Sequence, residues 1–374
     1  MKIDSPHWRN YFGGVCLVLL VLQVLSGIFL ALYYSPHLAE AYVSIQYIYK
    51  QFPDAAWVRD SHRWISFFVF AGIIAHVARS LLRRDFLNAE GKSFWLTGCL
   101  LALLLGGSLV TGSILPWDWK GYWFMEMVPN YLANLPLIGP SLKAYFIDGF
   151  TMERNFVTHV VILPLIAIVL IEIHALTRVR RRQLRVSGYL GRHALLSLPV
   201  IIAVVVLAVL FPMPTEDPEI IPMPLEGAFL PVTEWFSLIF FVPFIYFKNW
   251  VAPMLGIYLP AALFAGLSVL PFYFALRRPG AETGEAANGA AAGRGMVAKI
   301  GGFVAVIAVI GSVYGLLFLG NYKSPTFGCN SCHNTSMGRR MGIPPKAFKD
   351  RKIVPLLNDS QWMTEHWFTP QTRW

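Results

Sequence analysis

Charge is scarce in this chain: 14% of its 374 residues are Asp, Glu, Lys or Arg, against 56% hydrophobic. A soluble globular protein of this size does not carry that balance. Polar and apolar residues do not alternate in the long apolar runs, which excludes membrane-spanning strands. The first ten residues are polar and lack the cleavage pattern of a removable signal, and no internal repeat is visible. What is left is a polytopic helical membrane protein. Apolar runs lie at about 15–34, 64–82, 94–115, 156–176, 194–211, 251–276 and 300–319. Each is near the roughly 20 residues that a spanning helix needs, so seven spans are expected.

Acidic residues are also few, 21 against 31 basic, for a net charge of +10. The excess lies in alternate loops rather than one patch, so lipid and not nucleic acid is the expected partner. Arg79, Arg83, Arg84 and Lys92 follow the second run; Arg178, Arg180, Arg181, Arg182, Arg185 and Arg192 follow the fourth. By the positive-inside rule these loops and the N-terminus face the cytoplasm, and an odd number of spans puts the C-terminus outside. The tail is itself basic, with Lys323, Arg339, Arg340, Lys346, Lys349, Arg351, Lys352 and Arg373, so charge alone does not orient the last span.

Against this apolar background stand two pairs of histidines, His62 with His76 and His159 with His174. A histidine inside a bilayer is costly unless bound, paired or facing water, although a single one is often just a satisfied hydrogen-bonding residue. Fourteen helical residues rise about 21 Å, and spacings of 14 and 15 keep both imidazoles of a helix within about 60° of one face. Each helix is thereby placed to give one axial ligand to each of two stacked haem irons. Gly13 and Gly27 on the first run, and Gly98 and Gly112 on the third, repeat the 14-residue spacing. Glycine lets a flat group lie against a backbone, while small residues also serve ordinary helix packing. Arg79 and Arg154 are candidate partners for haem propionates; the alternative for Arg79 is an ordinary positive-inside anchor.

Four stretches then match a known pattern in order and spacing: YFGGVCLVLLVLQVLSGIFLALYY in the first run, the His62/His76 pair followed by Arg79, LPWDWKGYW at Leu115 to Trp123, and NLPLIGPSL before the fourth run. From about His7 to Arg278 the chain resembles the cytochrome b family of quinol:cytochrome c oxidoreductases, the cytochrome bc and b6f complexes. The resemblance implies an all-α membrane protein: a four-helix haem-binding bundle, three further transmembrane helices and a small C-terminal haem c segment. It implies two haem b groups, His62 and His159 ligating the one near the outer face, His76 and His174 the one near the cytoplasmic face. The 15-residue spacing of the second pair resembles the b6 type, whose b6 and subunit IV parts are here fused. The expected divisions are 1–185, the b6-like di-haem domain; 186–278, the subunit IV-like domain with a Pro-rich outer loop; 279–295, an Ala/Gly-rich cytoplasmic linker; 296–320, the last span; and 321–374, the haem c segment.

A lone carboxylate at a membrane surface is usually solvated, but Glu234, in Thr-Glu-Trp-Phe, matches the Pro-Glu-Trp-Tyr motif of the family's outer quinol-oxidation site. The glutamate is kept; the proline and the tyrosine hydroxyl are not. Quinol oxidation releases protons, and a carboxylate within hydrogen-bond reach is a fitting general base. Pro116 and Trp117 are expected to wall that site. A b6-type protein carries a further haem through a cysteine where this chain has Tyr11, so no covalent haem is expected at the inner site; Cys16 and Cys99 read as packing residues.

Cys329-Asn-Ser-Cys332-His333 is a C-x-x-C-H sequence, in which two thiols form thioethers with a haem c and the histidine is an axial ligand. A zinc or redox pair is the alternative, but neither the second half of a zinc site nor a βαβ context is present. Covalent haem attachment occurs outside bacterial inner membranes, which orients the tail. Only 41 residues follow His333, too few for a full cytochrome c domain, and His366, Met337, Met341 and Met363 all remain candidates for the sixth ligand, His366 preferred. With two thiols so used, four cysteines cannot also build an iron–sulfur cluster.

The resemblance therefore implies a Rieske-type iron–sulfur partner, c-type cytochrome subunits, and a homodimer of a multi-subunit complex in a bacterial inner membrane. The expected function is oxidation of quinol at the outer face, with electrons passing through two b haems and a c-type haem, coupled to proton translocation. A di-haem anchor passing electrons to a peripheral partner without bifurcation is the alternative; a transporter with intramembrane histidines would carry no haem.

Overall fold

The computed structural model describes residues 10–87, 91–149, 151–213, 215, 235–247, 249–277, 301–305, 307–312 and 315. In chain order its helices are α1 (Tyr11–Ala31), α2 (Ala41–Gln51), α3 (Pro53–Arg83), α4 (Gly91–Ile114), α5 (Trp119–Leu132), α6 (Gly139–Gly149), α7 (Met152–Arg181), α8 (Val186–Leu210), α9 (Leu238–Tyr246) and α10 (Val251–Phe274). Among the described residues α1, α3, α4, α7, α8 and α10 are long and apolar enough to cross a membrane. They coincide with the first six expected runs. The seventh contains a shorter apolar helix, Gly301–Ser312. The chain is a multi-pass, all-α membrane protein. Leu165, Ile168 and Val169 on α7 and Leu195, Ile202 and Val209 on α8 point outward, as a hydrocarbon solvent allows.

One span begins well before its apolar run. Pro53 opens α3, where its missing N–H costs nothing, so α3 carries a polar first section containing Arg59, Asp60 and Ser61, all buried. The LPWDW motif is a corner. Helix α4 ends at Ile114, Trp117 adopts a left-handed φ of 49° with its N–H on the Ile114 carbonyl at 3.0 Å, and Asp118 caps α5 by accepting from the Gly121 N–H at 2.9 Å.

Helix α1 packs on α3 and α8, and α4 on α7. Val15, Leu19, Ile65, Val69 and Val204 fill the first interface. A larger aromatic core of Phe124, Phe236, Phe241 and Phe244, with Met125 and Met152, gathers the short helices α5 and α9 at the end of the molecule that holds His62 and His159. At the opposite end Phe86, Trp95 and Cys99 pack against α10, fixed by the Trp95 Nε1 donating to the Leu267 carbonyl at 2.7 Å.

Candidate functional site

The four intramembrane histidines meet in two pairs across the bundle. The ring centres of His62 on α3 and His159 on α7 are 6.5 Å apart, with planes at 73°. Those of His76 and His174 are 6.1 Å apart, at 84°. A metal bonded at about 2 Å to one nitrogen of each ring would hold two such centres on the order of 6 Å apart. No group of three His, Cys, Asp or Glu that could hold a metal occurs among the described residues. Each pair brings two imidazoles together, a donor set that fits a haem iron.

The four glycines line up one to one with the histidines. A Cβ at Gly13 would lie 3.1 Å from Cε1 of His76, at Gly27 3.2 Å from that of His62, at Gly98 2.8 Å from that of His174, and at Gly112 2.7 Å from that of His159. The room beside each imidazole exists because no side chain occupies it. Gly112→Ala is accordingly expected to lower haem b content at the His62–His159 pair. Gly107→Ala on the same helix meets nothing within 4 Å and is expected to leave it at the wild-type level; optical titration of the purified protein measures both.

Hydrogen bonds fix which ring nitrogen is free. The Ser26 hydroxyl donates to the Leu22 carbonyl, so toward His62 Nδ1, 2.9 Å away, it accepts. Thr111 likewise donates to the Gly107 carbonyl and accepts from His159 Nδ1 at 3.0 Å. His174 Nδ1 donates to the Phe94 carbonyl at 2.8 Å, with Thr97 at 3.3 Å. With Nδ1 protonated, the Nε2 lone pair is left to bind a metal. On His62 the Gln23 amide now donates to that lone pair at 3.0 Å.

Helix α7 reaches both pairs despite its longer spacing because it contains two π turns, Thr158–Ile162 and Glu172–Leu176, each holding one of the histidines. A π turn carries more residues per turn than an α turn, which absorbs the fifteenth residue.

Each pair opens on a cavity. The one at His62 and His159, about 640 Å³, is lined also by Arg59, Phe70, Pro116 and Phe236. That is within the usual size of a ligand pocket. Trp117 lies behind it in the aromatic core. Tyr34 borders it too, stacked on Phe156 and donating to the Leu115 carbonyl at 2.7 Å. The cavity at His76 and His174, about 200 Å³, is lined by Arg79, Arg178 and Arg182. Arg79 lies 5.9 Å over the Phe12 ring and Arg178 4.1 Å over Phe94.

The structure does not bring Arg154 into the larger cavity; it donates to the Gly149 carbonyl at 2.5 Å. Arg59 is there instead. Its Nη2 is buried without a hydrogen-bond partner, an opening that fits an acidic substituent on a bound group. Sequence reasoning missed Arg59, Gln23, Ser26, Thr97 and Thr111. The signal for three of them was present: Ser26-Gly27, Thr97-Gly98 and Thr111-Gly112 each place a hydroxyl beside a ladder glycine. Glu234 and Cys329, Cys332, His333 and His366 lie outside the described residues.

A family model for cytochrome b/b6/petB matches residues 5–182. Cytochrome b6 of Prochlorothrix hollandica is 32% identical over 182 residues, covering 47% of this chain and 82% of that protein. Cytochrome b6 of Tupiella akineta is 30% identical over 182 residues, covering 47% and 84%. Beyond that region, a solved chain of a hyperthermophilic respiratory Complex III shares the fold, with a TM-score of 0.56 at 20% identity over 83% of this chain and 90% of its own. With its histidine ladder inside the matched residues, the chain belongs to the cytochrome b/b6 family.

Proposed function

We propose that this protein is the membrane cytochrome b subunit of a bc-type complex that oxidises quinol at the outer face of a bacterial inner membrane. Phe236 carries the reading: it stands two residues after Glu234 and lines the same cavity as His62 and His159. It packs there against Phe124 and Phe70, with ring centres 6.4 and 6.2 Å away. Phe236, the last residue of the Thr-Glu-Trp-Phe motif, thus borders the larger histidine pair, which supports the reading.

His62 and His159 would hold one haem b, and His76 and His174 the other; Cys329, Cys332 and His333 would hold a haem c, with His366 as its preferred sixth ligand. When bound, these groups supply reversible one-electron iron chemistry. The chain's own residues do the rest. Ser26, Thr111 and the Phe94 carbonyl keep the imidazoles of His62, His159 and His174 in the ligating tautomer. Arg59 at the outer pair and Arg79 at the inner one receive the acidic substituents. The apolar walls keep water from the reacting quinol, and Glu234 takes its proton. A Rieske-type protein and c-type cytochrome subunits are the partners proposed, in a homodimeric assembly.

The test is a pyridine haemochrome spectrum of the purified chain, expected to give b and c haem at 2:1. One b haem per chain, or none, would sink the ladder; absence of c haem would remove the C-terminal assignment.

A further inference from the structure

Arg59 and Asp60 form a buried ion pair at the outer end of α3, three and two residues before His62. Their side chains are 4% and 2% exposed, with Nη1 3.3 Å from Oδ1. The same Nη1 donates to the Tyr49 hydroxyl at 2.7 Å and to the Met213 carbonyl. Asp60 Oδ1 also accepts from the Tyr49 hydroxyl at 2.5 Å and from the Met213 N–H at 3.3 Å. Burial pushes the Tyr49 hydroxyl up to about 12, so it stays a donor. The neighbouring stretch is tied down as well, by Gln46 Nε2 on the Thr215 hydroxyl at 2.7 Å and by Trp64 Nε1 on the Phe211 carbonyl at 3.2 Å.

An acid here has no role in ligating iron, and a buried ion pair is a poor source of stability because both partners lose their hydration. What the carboxylate does is local. It occupies one side of the guanidinium, leaves Nη2 unbonded, and sets a negative charge against the positive one beside the cavity of His62 and His159. In a low-dielectric surrounding such charges act strongly on any centre that changes its own charge.

We propose that Asp60 is a positioning residue and counter-charge for Arg59: it holds the guanidinium at the outer cavity and keeps the midpoint potential of the outer b haem below the value Arg59 alone would impose. This rests on haem binding by His62 and His159. A nearby cation favours the reduced iron and an anion the oxidised one, so the two charges act in opposite senses.

Redox titration of the purified holoprotein tests it, each b haem being followed by its optical band. Asp60→Asn is expected to shift the outer midpoint upward and Arg59→Gln downward, with the inner midpoint unmoved in both. The double variant buries no charge, folds without needing either partner, and is expected to return the outer midpoint toward wild type. Shifts of one sign in both single variants, or a double variant displaced as far as either single one, would mean a packing effect and overturn the proposal. So would an outer midpoint unchanged in all three, although the ladder would then stand. Wild-type protein without bis-histidine b haem would remove the functional reading itself, and this inference with it.

Discussion

Glu234→Gln is expected to reduce quinol oxidation by about a hundredfold or more, the lower end of what a positioned general base contributes, with both b haems retained. Glutamine keeps the shape of glutamate but cannot accept the proton that a quinol must lose. On the proposed ligation the b haems depend on histidines from α3 and α7 and not on Glu234, so their spectrum is the internal control. Steady-state reduction of a c-type cytochrome by a quinol, with the b haem bands recorded on the same preparation, makes the measurement. Unchanged turnover would mean that no base acts at this position, and would favour a di-haem conduit over a quinol-oxidising site.

His174→Leu is expected to lower haem b from two to one per chain. Leucine is at home in a lipid-facing helix, and α7 already carries Ile171 and Ile173 before position 174 and Leu176 and Val179 after it, so the helix should persist while the imidazole is lost. The inner pair is then reduced to His76 alone. The outer pair keeps its own hydroxyl partners, Ser26 and Thr111, which lie on other turns of other helices. Haem quantified per chain after purification reads the result directly. Two b haems remaining in the variant would show that His174 is not a ligand.

Composition and spacing made the spans and the ladder legible. Six apolar runs became helices, although α3 and α8 begin well before theirs, because unbroken apolar stretches of that length have few alternatives in a membrane. The histidine pairing was legible for the same reason the glycines were: a helical period carries residues 14 apart to one face. Tertiary partners were harder to see. Arg59 reads, in sequence, as one more cation at a membrane interface, and only the packing of α2, Phe211 and Met213 against α3 distinguishes it from Arg154. The early start of α3 was also hidden, since Arg59, Asp60 and Ser61 look like a loop until their burial is known. The short helices α2, α5 and α6 followed from no apolar run at all.

The unequal spacing of the two histidine-bearing helices has a mechanical side. Between its histidines α3 is an ordinary α-helix, so a residue gained or lost there turns His76 about 100° away from its partner. Helix α7 instead stores its surplus residue in two under-wound turns, each at a histidine. A change of length there can be taken up by tightening or loosening a turn while the ends stay level. One rail of the ladder is rigid in register and the other has slack built in where it grips.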